Sequence, residues 1–234
     1  MNNINVFSYS KNLELSSDKQ NHTIDLFTIS FKLFQLPDNV MTHLVETSEQ
    51  IIADKFKNYE PFNSNLAGAI RHEYRASPKT CKIIEDLAIE YSKIYFREMG
   101  DGNSVNAELT CDRTGTTDNK SIWWNFQRKF EYNPLHCHDG ILSFVAWVKI
   151  PFDVAKEESM EHLINANGGD KGPHFKFTYP NFLSRGGVSS STLRMTKVME
   201  GKLVLFPSWL HHEVPPFYTS NDFRVSIAGN VRYK

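Results

Sequence analysis

The chain has 234 residues, 26 Lys plus Arg against 27 Asp plus Glu, a formal charge of −1, and 40% hydrophobic and 13% aromatic residues. That balance leaves no electrostatic footprint for nucleic acid or an anionic membrane, while the apolar content suffices for one sizeable core. Three cysteines (Cys81, Cys111, Cys137), no apolar signal-peptide stretch at the start, and a longest apolar run (141–150) of about half a membrane span predict a soluble, cytoplasmic protein with free thiols.

Residues 1–25 are polar and predict a loosely held start. Residues 29–36 alternate as a strand should. Pro37-Asp38-Asn39 offers a turn and N-cap for a helix over 40–56, where Val40, Leu44, Val45, Ile51, Ile52 and Phe56 recur at helical spacing. His43, near its start, reads as a surface residue. Residues 59–76 show no clear period. Ser77 then caps a second helix with Pro78 at its first position, its apolar face being Ile84, Leu87, Ala88, Tyr91 and Tyr95, and Gly100 marks its end.

After Gly102 the period falls from 3.6 to 2. Strands are predicted at 104–111, 121–131, 141–151, 174–179, 191–198, 202–206 and 223–231, separated by Gly, Pro and Asn clusters at 133–134, 165–173 and 185–187, without helices between them. The pattern predicts a mainly β, α+β chain: an antiparallel sandwich or barrel of the jelly-roll kind braced by N-terminal helices. Residues 1–234 read as a single domain, with 1–103 as helical support and first strand and 104–234 as the core. The segments 165–173 and 185–191 are candidates for a lid, or for ordinary surface loops.

Two stretches carry chemistry. His136 and His138 are two residues apart, so on an extended chain both imidazoles project from one face and one metal ion can accept both. Cys137 points the other way, toward the core. Asp139 reaches the same ion only if the chain turns, which Gly140 permits. The second stretch, 204–230, presents His211 and His212 and returns as a strand carrying Arg224 and Ser226. Alternation puts Arg224 and Ser226 on one face and Phe223, Val225 and Ile227 on the other. An unpaired arginine inside a core is costly, so a bound carboxylate, gripped in bidentate fashion by the guanidinium with help from the serine, explains the pair; a structural salt bridge is the alternative. Asn125 and Gln127 share a face with Trp123 and Lys129 and are placed to touch a co-substrate or substrate. His22, His72, His162 and His174 have no partner spacing and read as surface or satisfied histidines.

Taken together, Trp124-Asn125, the run Asn133-Pro-Leu-His-Cys-His138, Leu142-Ser143-Phe144, the run Phe206-Pro-Ser-Trp-Leu-His-His212 with Val214, Arg224-Val-Ser226 and Asn230 resemble the iron(II)- and 2-oxoglutarate-dependent oxygenases, within them a group found largely in phages and bacteria. The resemblance covers roughly residues 104–234. It implies a double-stranded β-helix of the jelly-roll or cupin-like kind. It also implies a distal metal ligand at His212, not His211, and Arg224, assisted by Ser226, as the anchor of the far carboxylate of 2-oxoglutarate. Implied cofactors are Fe(II), 2-oxoglutarate and O2, with ascorbate as a reductant. The implied reaction is hydroxylation of a C–H bond in a peptide, as in prolyl hydroxylases, or in a small molecule, with release of succinate and CO2. A phage-encoded protein of this kind would act in the host cytoplasm.

The sequence departs from the family's usual His-x-Asp at 136–138, which reads His-x-His. Either His136, His138 and His212 form a three-histidine centre, or Asp139 is drawn in, or the carboxylate is lacking. Two rivals follow: a three-histidine dioxygenase that takes no 2-oxoglutarate, and a non-catalytic jelly-roll binding or structural protein.

Overall fold

The computed structural model describes residues 29–112, 121–164, 172–181 and 187–234, and the backbone alone of 3–5 and 23–25. The polar start, His22 and most of the lid candidate at 165–173 lie outside the described residues. Strands β1 (Asn3–Asn5) and β2 (Thr23–Asp25) pair in parallel; β3 is Lys32–Gln35. Two long helices follow the sequence closely. Helix α1 (Asp38–Ala53) buries Val40, Leu44 and Ile51. Strand β4 (His72–Arg75) precedes α2 (Pro78–Glu98), whose N-terminus is closed by Ser77 accepting a hydrogen bond from the Thr80 amide at 3.3 Å, with Pro78 where no amide donor is needed.

A short helix α3 (Gly102–Asn106) and strands β5 (Leu109–Thr110), β6 (Ile122–Gln127), β7 (Asn133–His136) and β8 (Leu142–Lys149) come next. Helices α4 (Val154–Glu158) and α5 (Glu161–Ile164) then precede β9 (Phe175–Asn181), β10 (Gly187–Leu193), β11 (Lys202–Pro207), β12 (His211–Val214) and β13 (Arg224–Tyr233). The strands build two antiparallel sheets. The larger runs β3-β11-β8-β13-β6-β4, with β5 beside β13, and the smaller runs β10-β9-β12-β7. This is the double-stranded β-helix the sequence leads one to expect, mostly β with a few helices.

Alternation along the central strands sorts the residues into two cores. From the larger sheet, Trp124, Phe126, Phe144, Leu203, Leu205, Val225 and Ile227 face α1 and α2 and pack with Leu44, Ile51 and Ile84. On the opposite face Trp123, Val145, Trp147, Val204 and Phe206 meet Phe175 and Phe177 of the smaller sheet. Because β6 and β13 are covered on both sides, anything polar on their inner face is sealed between the sheets, and that is where Asn125, Gln127, Arg224 and Ser226 lie.

Several expectations need correction. The strand predicted over 104–111 is instead α3 followed by the two-residue β5, because Asp101 accepts from the Ser104 amide and caps a helical turn. The strand over 121–131 stops at Gln127. Residues 128–131 form a turn in which Phe130 has φ 71° and Glu131 accepts from the Arg128 amide, so Lys129 leaves the inner face and sits 5.5 Å from the Phe130 ring centroid. The strand at 191–198 is shifted earlier, to β10, and ends before a 3-10 turn at Lys197–Met199, so 187–191 of the second lid candidate are strand. Helices α4 and α5 interrupt a stretch predicted to have none; Asp153 caps the first by accepting from the Ala155 amide. Strand β4, hidden in the unpatterned 59–76, adds an edge to the larger sheet.

Gly229 on β13 lies where neighbouring chain approaches closely. A Cβ there would lie 2.5 Å from Phe144 Cζ and 2.7 Å from the Ser121 carbonyl oxygen. Gly229→Ala is therefore expected to cost about 1–3 kcal/mol, a fall of several degrees in thermal unfolding. An unchanged melting temperature would contradict this packing.

Candidate metal centre

The site begins with strand register. In the smaller sheet His212 on β12 lies directly opposite His136 on β7. Opposed residues of an antiparallel pair share a face with Cβ atoms about 5 Å apart, so the two imidazoles must meet. His138 follows two residues later, just past the end of β7, where its amide donates to the Ser208 carbonyl at 2.9 Å and ties the chain to the β11–β12 turn. The ring centroids stand 4.3 Å apart for His136 and His212, 4.8 Å for His136 and His138, and 5.1 Å for His138 and His212. One ring nitrogen from each lies within 4.8 Å of the others.

Electrostatics hold these rings neutral. Burial lowers all three pKa values, most for His212, and the rings depress one another; His138 is brought to about 4. Nδ1 of His136 lies 2.6 Å from the Pro134 carbonyl oxygen and Nδ1 of His212 lies 3.0 Å from that of Leu210. A carbonyl only accepts, so Nδ1 carries the proton in both rings and Nε2 keeps its lone pair. Three neutral imidazoles, two with the tautomer fixed by backbone carbonyls, form a donor set suited to a divalent transition metal. Phe175 stacks on His212 at 5.4 Å, Phe206 meets its edge at 4.8 Å, and Trp123 lies 5.8 Å from His138, an apolar wall that keeps the rings desolvated.

Arg224 opens into the same cavity and is 3% exposed. Its Nε and Nη2 donate to Gln127 Oε1, Nη1 to the Pro173 carbonyl at 2.7 Å, and Nη2 to the Pro215 carbonyl at 3.0 Å. Every one of these acceptors is neutral, and among the described residues no carboxylate comes within ion-pairing distance. Burial pushes its pKa down to about 9; the charge of the fully buried Glu157 works against that. Phe152 and Phe217 each lie 5.7 Å from the guanidinium. The cation thus faces the cavity without a counter-charge in contact. Four of its five N–H groups are already engaged, so a bidentate carboxylate grip requires a carbonyl to give way. Ser226 lines the cavity and accepts from Asn125 Nδ2 at 3.3 Å.

The structure thus brings together His136, His138, His212, Arg224, Ser226, Asn125 and Gln127. Asp139 is exposed and lies outside the histidine cluster, on a neighbouring polar cavity that it shares with His138. Cys137, expected in the core, is exposed just past β7, on the side away from the cavity where Leu135 and His211 are exposed too. His211 is exposed beside His212. His174 is bonded to Glu158, His72 to Tyr74 and His43 to Thr80. Sequence reasoning missed Glu73, a buried carboxylic acid on the cavity wall, and Glu157 behind Arg224. Neither had a signal in the sequence, since Arg71-His-Glu-Tyr-Arg75 shows no apolar alternation.

Residues 121–230 match a family model described as "Putative 2OG-Fe(II) oxygenase". No curated protein matches the chain. Among solved structures, a Pseudomonas putida prolyl-4-hydroxylase is similar over 88% of this chain and 94% of its own, at 14% identity and a TM-score of 0.53, and shares the fold. A Trichoplax adhaerens prolyl hydroxylase, in complex with a hypoxia inducible factor oxygen degradation domain peptide, is similar over 88% of this chain and 84% of its own, at 16% identity and a TM-score of 0.49. The matched segment contains all three histidines and Arg224. It supports the family suspected from the sequence, and with it an oxygenase enzyme. Among the described residues no helix is long and apolar enough to cross a membrane.

The lowered histidine pKa values set a pH dependence. Unfolded imidazoles take up protons as the pH falls below 6.5, whereas the folded ones resist until lower pH, about 4 for His138. The unfolded state then binds more protons, so the metal-free protein should lose stability progressively from pH 6.5 to about 4. Melting curves across that range check this, and added Mn(II) or Zn(II) should raise the melting temperature at pH 7 but not near pH 4. A metal shift of equal size at both ends would contradict the assignment.

Proposed function

We propose that this oxygenase holds iron(II) through His136, His138 and His212 and binds 2-oxoglutarate with its far carboxylate at Arg224, hydroxylating a C–H bond of a peptide or small-molecule substrate. The observation that carries the reading is the convergence, in one buried cavity, of three neutral imidazoles and a guanidinium that has only neutral acceptors among the described residues. Iron(II) with 2-oxoglutarate and dioxygen supplies an oxidant able to hydroxylate an unactivated C–H bond, with succinate and CO2 as co-products.

The residues of the chain do the rest. The Pro134 and Leu210 carbonyls keep Nε2 of His136 and His212 free to ligate. Arg224 supplies the charge that draws a carboxylate into the barrel, and Ser226 and Asn125 add hydrogen bonds beside it. Trp123, Phe175 and Phe206 exclude water from the reacting region. The solved prolyl-4-hydroxylase of the same fold makes a prolyl C–H bond the first substrate class to try. A three-histidine dioxygenase that takes no 2-oxoglutarate is the second reading, favoured by the engagement of most Arg224 donors.

The test is iron-dependent conversion of 2-oxoglutarate to succinate, assayed with ascorbate as reductant. Arg224→Ala should raise the KM for 2-oxoglutarate by about 10- to 100-fold, the loss of a charged hydrogen-bonding partner, while iron binding persists. His136→Ala should abolish iron binding, and Asp139→Asn should leave it intact. Lost iron with unchanged 2-oxoglutarate affinity in Arg224→Ala would overturn the assigned roles, and bound iron without any succinate would favour the second reading.

A further inference from the structure

In the row next to the guanidinium, the inner face of the larger sheet carries two oxygen acceptors that co-substrate binding does not use. Glu73 on β4 lies directly opposite Asn125 on β6, which lies opposite Ser226 on β13, so the three form a row across the inner face of the larger sheet. Glu73 is 1% exposed. Its Oε2 accepts from Asn63 Nδ2 at 3.1 Å, which fixes the side chain, but its Oε1 is buried without a hydrogen-bond partner among the described residues. Asn125 has the same defect: Nδ2 donates to Ser226 while Oδ1 is buried and unpartnered. Both residues line the cavity that the three histidines line.

The protein treats its other buried glutamates differently. Glu157 accepts from the Tyr218 amide and from the amide and hydroxyl of Thr219, and Glu85 accepts from the Cys111 amide and the Thr110 hydroxyl. A carboxyl group serving only the fold is surrounded by donors in this way, since an unsatisfied buried acceptor costs about 1–3 kcal/mol. At Glu73 the chain instead packs close without donating: a Cβ at Gly68 would lie 3.0 Å from Oε1. Burial, then the charge of nearby Glu131, push its pKa up to about 8. A cation arriving at the carboxyl would relieve both effects.

We propose that Glu73 Oε1 and Asn125 Oδ1 together receive a protonated nitrogen of the primary substrate, which is thus a cationic amine or guanidine such as a peptide or amino acid with a basic side chain. Two acceptors side by side call for a group with at least two N–H donors, which a single hydroxyl does not supply. A positive charge is favoured because a desolvated carboxylate is stabilised most by an opposite charge in contact. Arg224, on the neighbouring row with Gln127, repels the same cation and so orients the substrate with its charged end at Glu73. The proposal rests on the oxygenase reading only in taking this cavity as the substrate's.

Calorimetric binding to the full-length, Mn(II)-loaded protein tests it without turnover. The probes are the peptides Gly-Pro-Lys and Gly-Pro-Arg against their neutral counterparts carrying Nε-acetyl-lysine and citrulline. The cationic members should bind at least about tenfold more tightly to the wild type, and in Glu73→Gln that preference should fall to near unity. Equal binding within each pair, or no binding of any cationic probe, overturns the proposal, and so does a preference that survives Glu73→Gln; two acceptors bridged by water would give the first result. The wild-type comparison decides even if the variant folds poorly. Failure of iron-dependent succinate formation would instead strike the oxygenase reading and leave the binding preference measurable.

Discussion

The arrangement depends on one cross-strand pair. With His212 opposite His136 in the smaller sheet, the two imidazoles share a face and a level, and no loop conformation has to be selected to bring them together. A shift of one residue in that pairing would turn one ring outward. Register is held by the aromatic packing of Phe175 and Phe177 against Phe206 and by the Ser208 carbonyl, which accepts from the His138 amide. The third ring is thus placed by the turn after β11, not by the regularity of β7. Rigid strands fix two donors, and a tethered chain end fixes the third.

The larger sheet contributes charge where the smaller contributes ligating nitrogens. Its inner face carries two successive polar rows, Gln127 with Arg224 and then Glu73, Asn125 and Ser226. A cation lies in one row and an acid in the next, between layers of aromatic side chains that keep water away, lengthening the reach of the guanidinium charge and holding the acid's pKa up at about 8. Glu157 illustrates how such a charge is tolerated. Too distant to consume the guanidinium as an ion pair, it still favours the charged form of Arg224 from behind. Full neutralisation by a contacting carboxylate would have left nothing for an incoming anion to find.

Much of this was legible in the sequence, for identifiable reasons. Strand alternation is a fixed geometric period, so the shared face of Arg224 and Ser226, and the opposite face of Val225 and Ile227, followed from spacing alone. Ser77 and Pro78 announce the start of α2 because capping is local chemistry. What failed depends on neighbours. Cys137 was expected inside because alternation turns it away from the histidines, whereas the face of the smaller sheet opposite them is exposed at Leu135, Cys137 and His211. Lys129 was expected on the inner face because the turn at Phe130, with its positive φ, has no glycine to signal it. The short helices α3, α4 and α5 are too brief to show a period, and only the caps at Asp101 and Asp153 mark the first two. Strand β4 escaped notice because a charged residue, Glu73, occupies the position where the pattern calls for an apolar one.

That last omission is informative. Local rules hold across most of the described chain: capped helices, alternating strands, buried glutamates ringed by donors. Several departures gather in one cavity, where three imidazoles crowd one another, a guanidinium rests on carbonyl oxygens and, among the described residues, two acceptors lie unpaired. Each break costs stability, and the cores on both faces of the larger sheet must offset the sum. Such a concentration of unmet hydrogen-bonding and charge is not needed to close a β-helix, since isosteric apolar side chains would close it with less strain on the balance. The departures are complementary in sign to what the cavity has to gather: nitrogen lone pairs for a cation, a guanidinium for an anion, and paired oxygens for a donor group. Sequence pattern reports where a chain obeys the rules of folding; the site is found where those rules fail together and in matching chemistry.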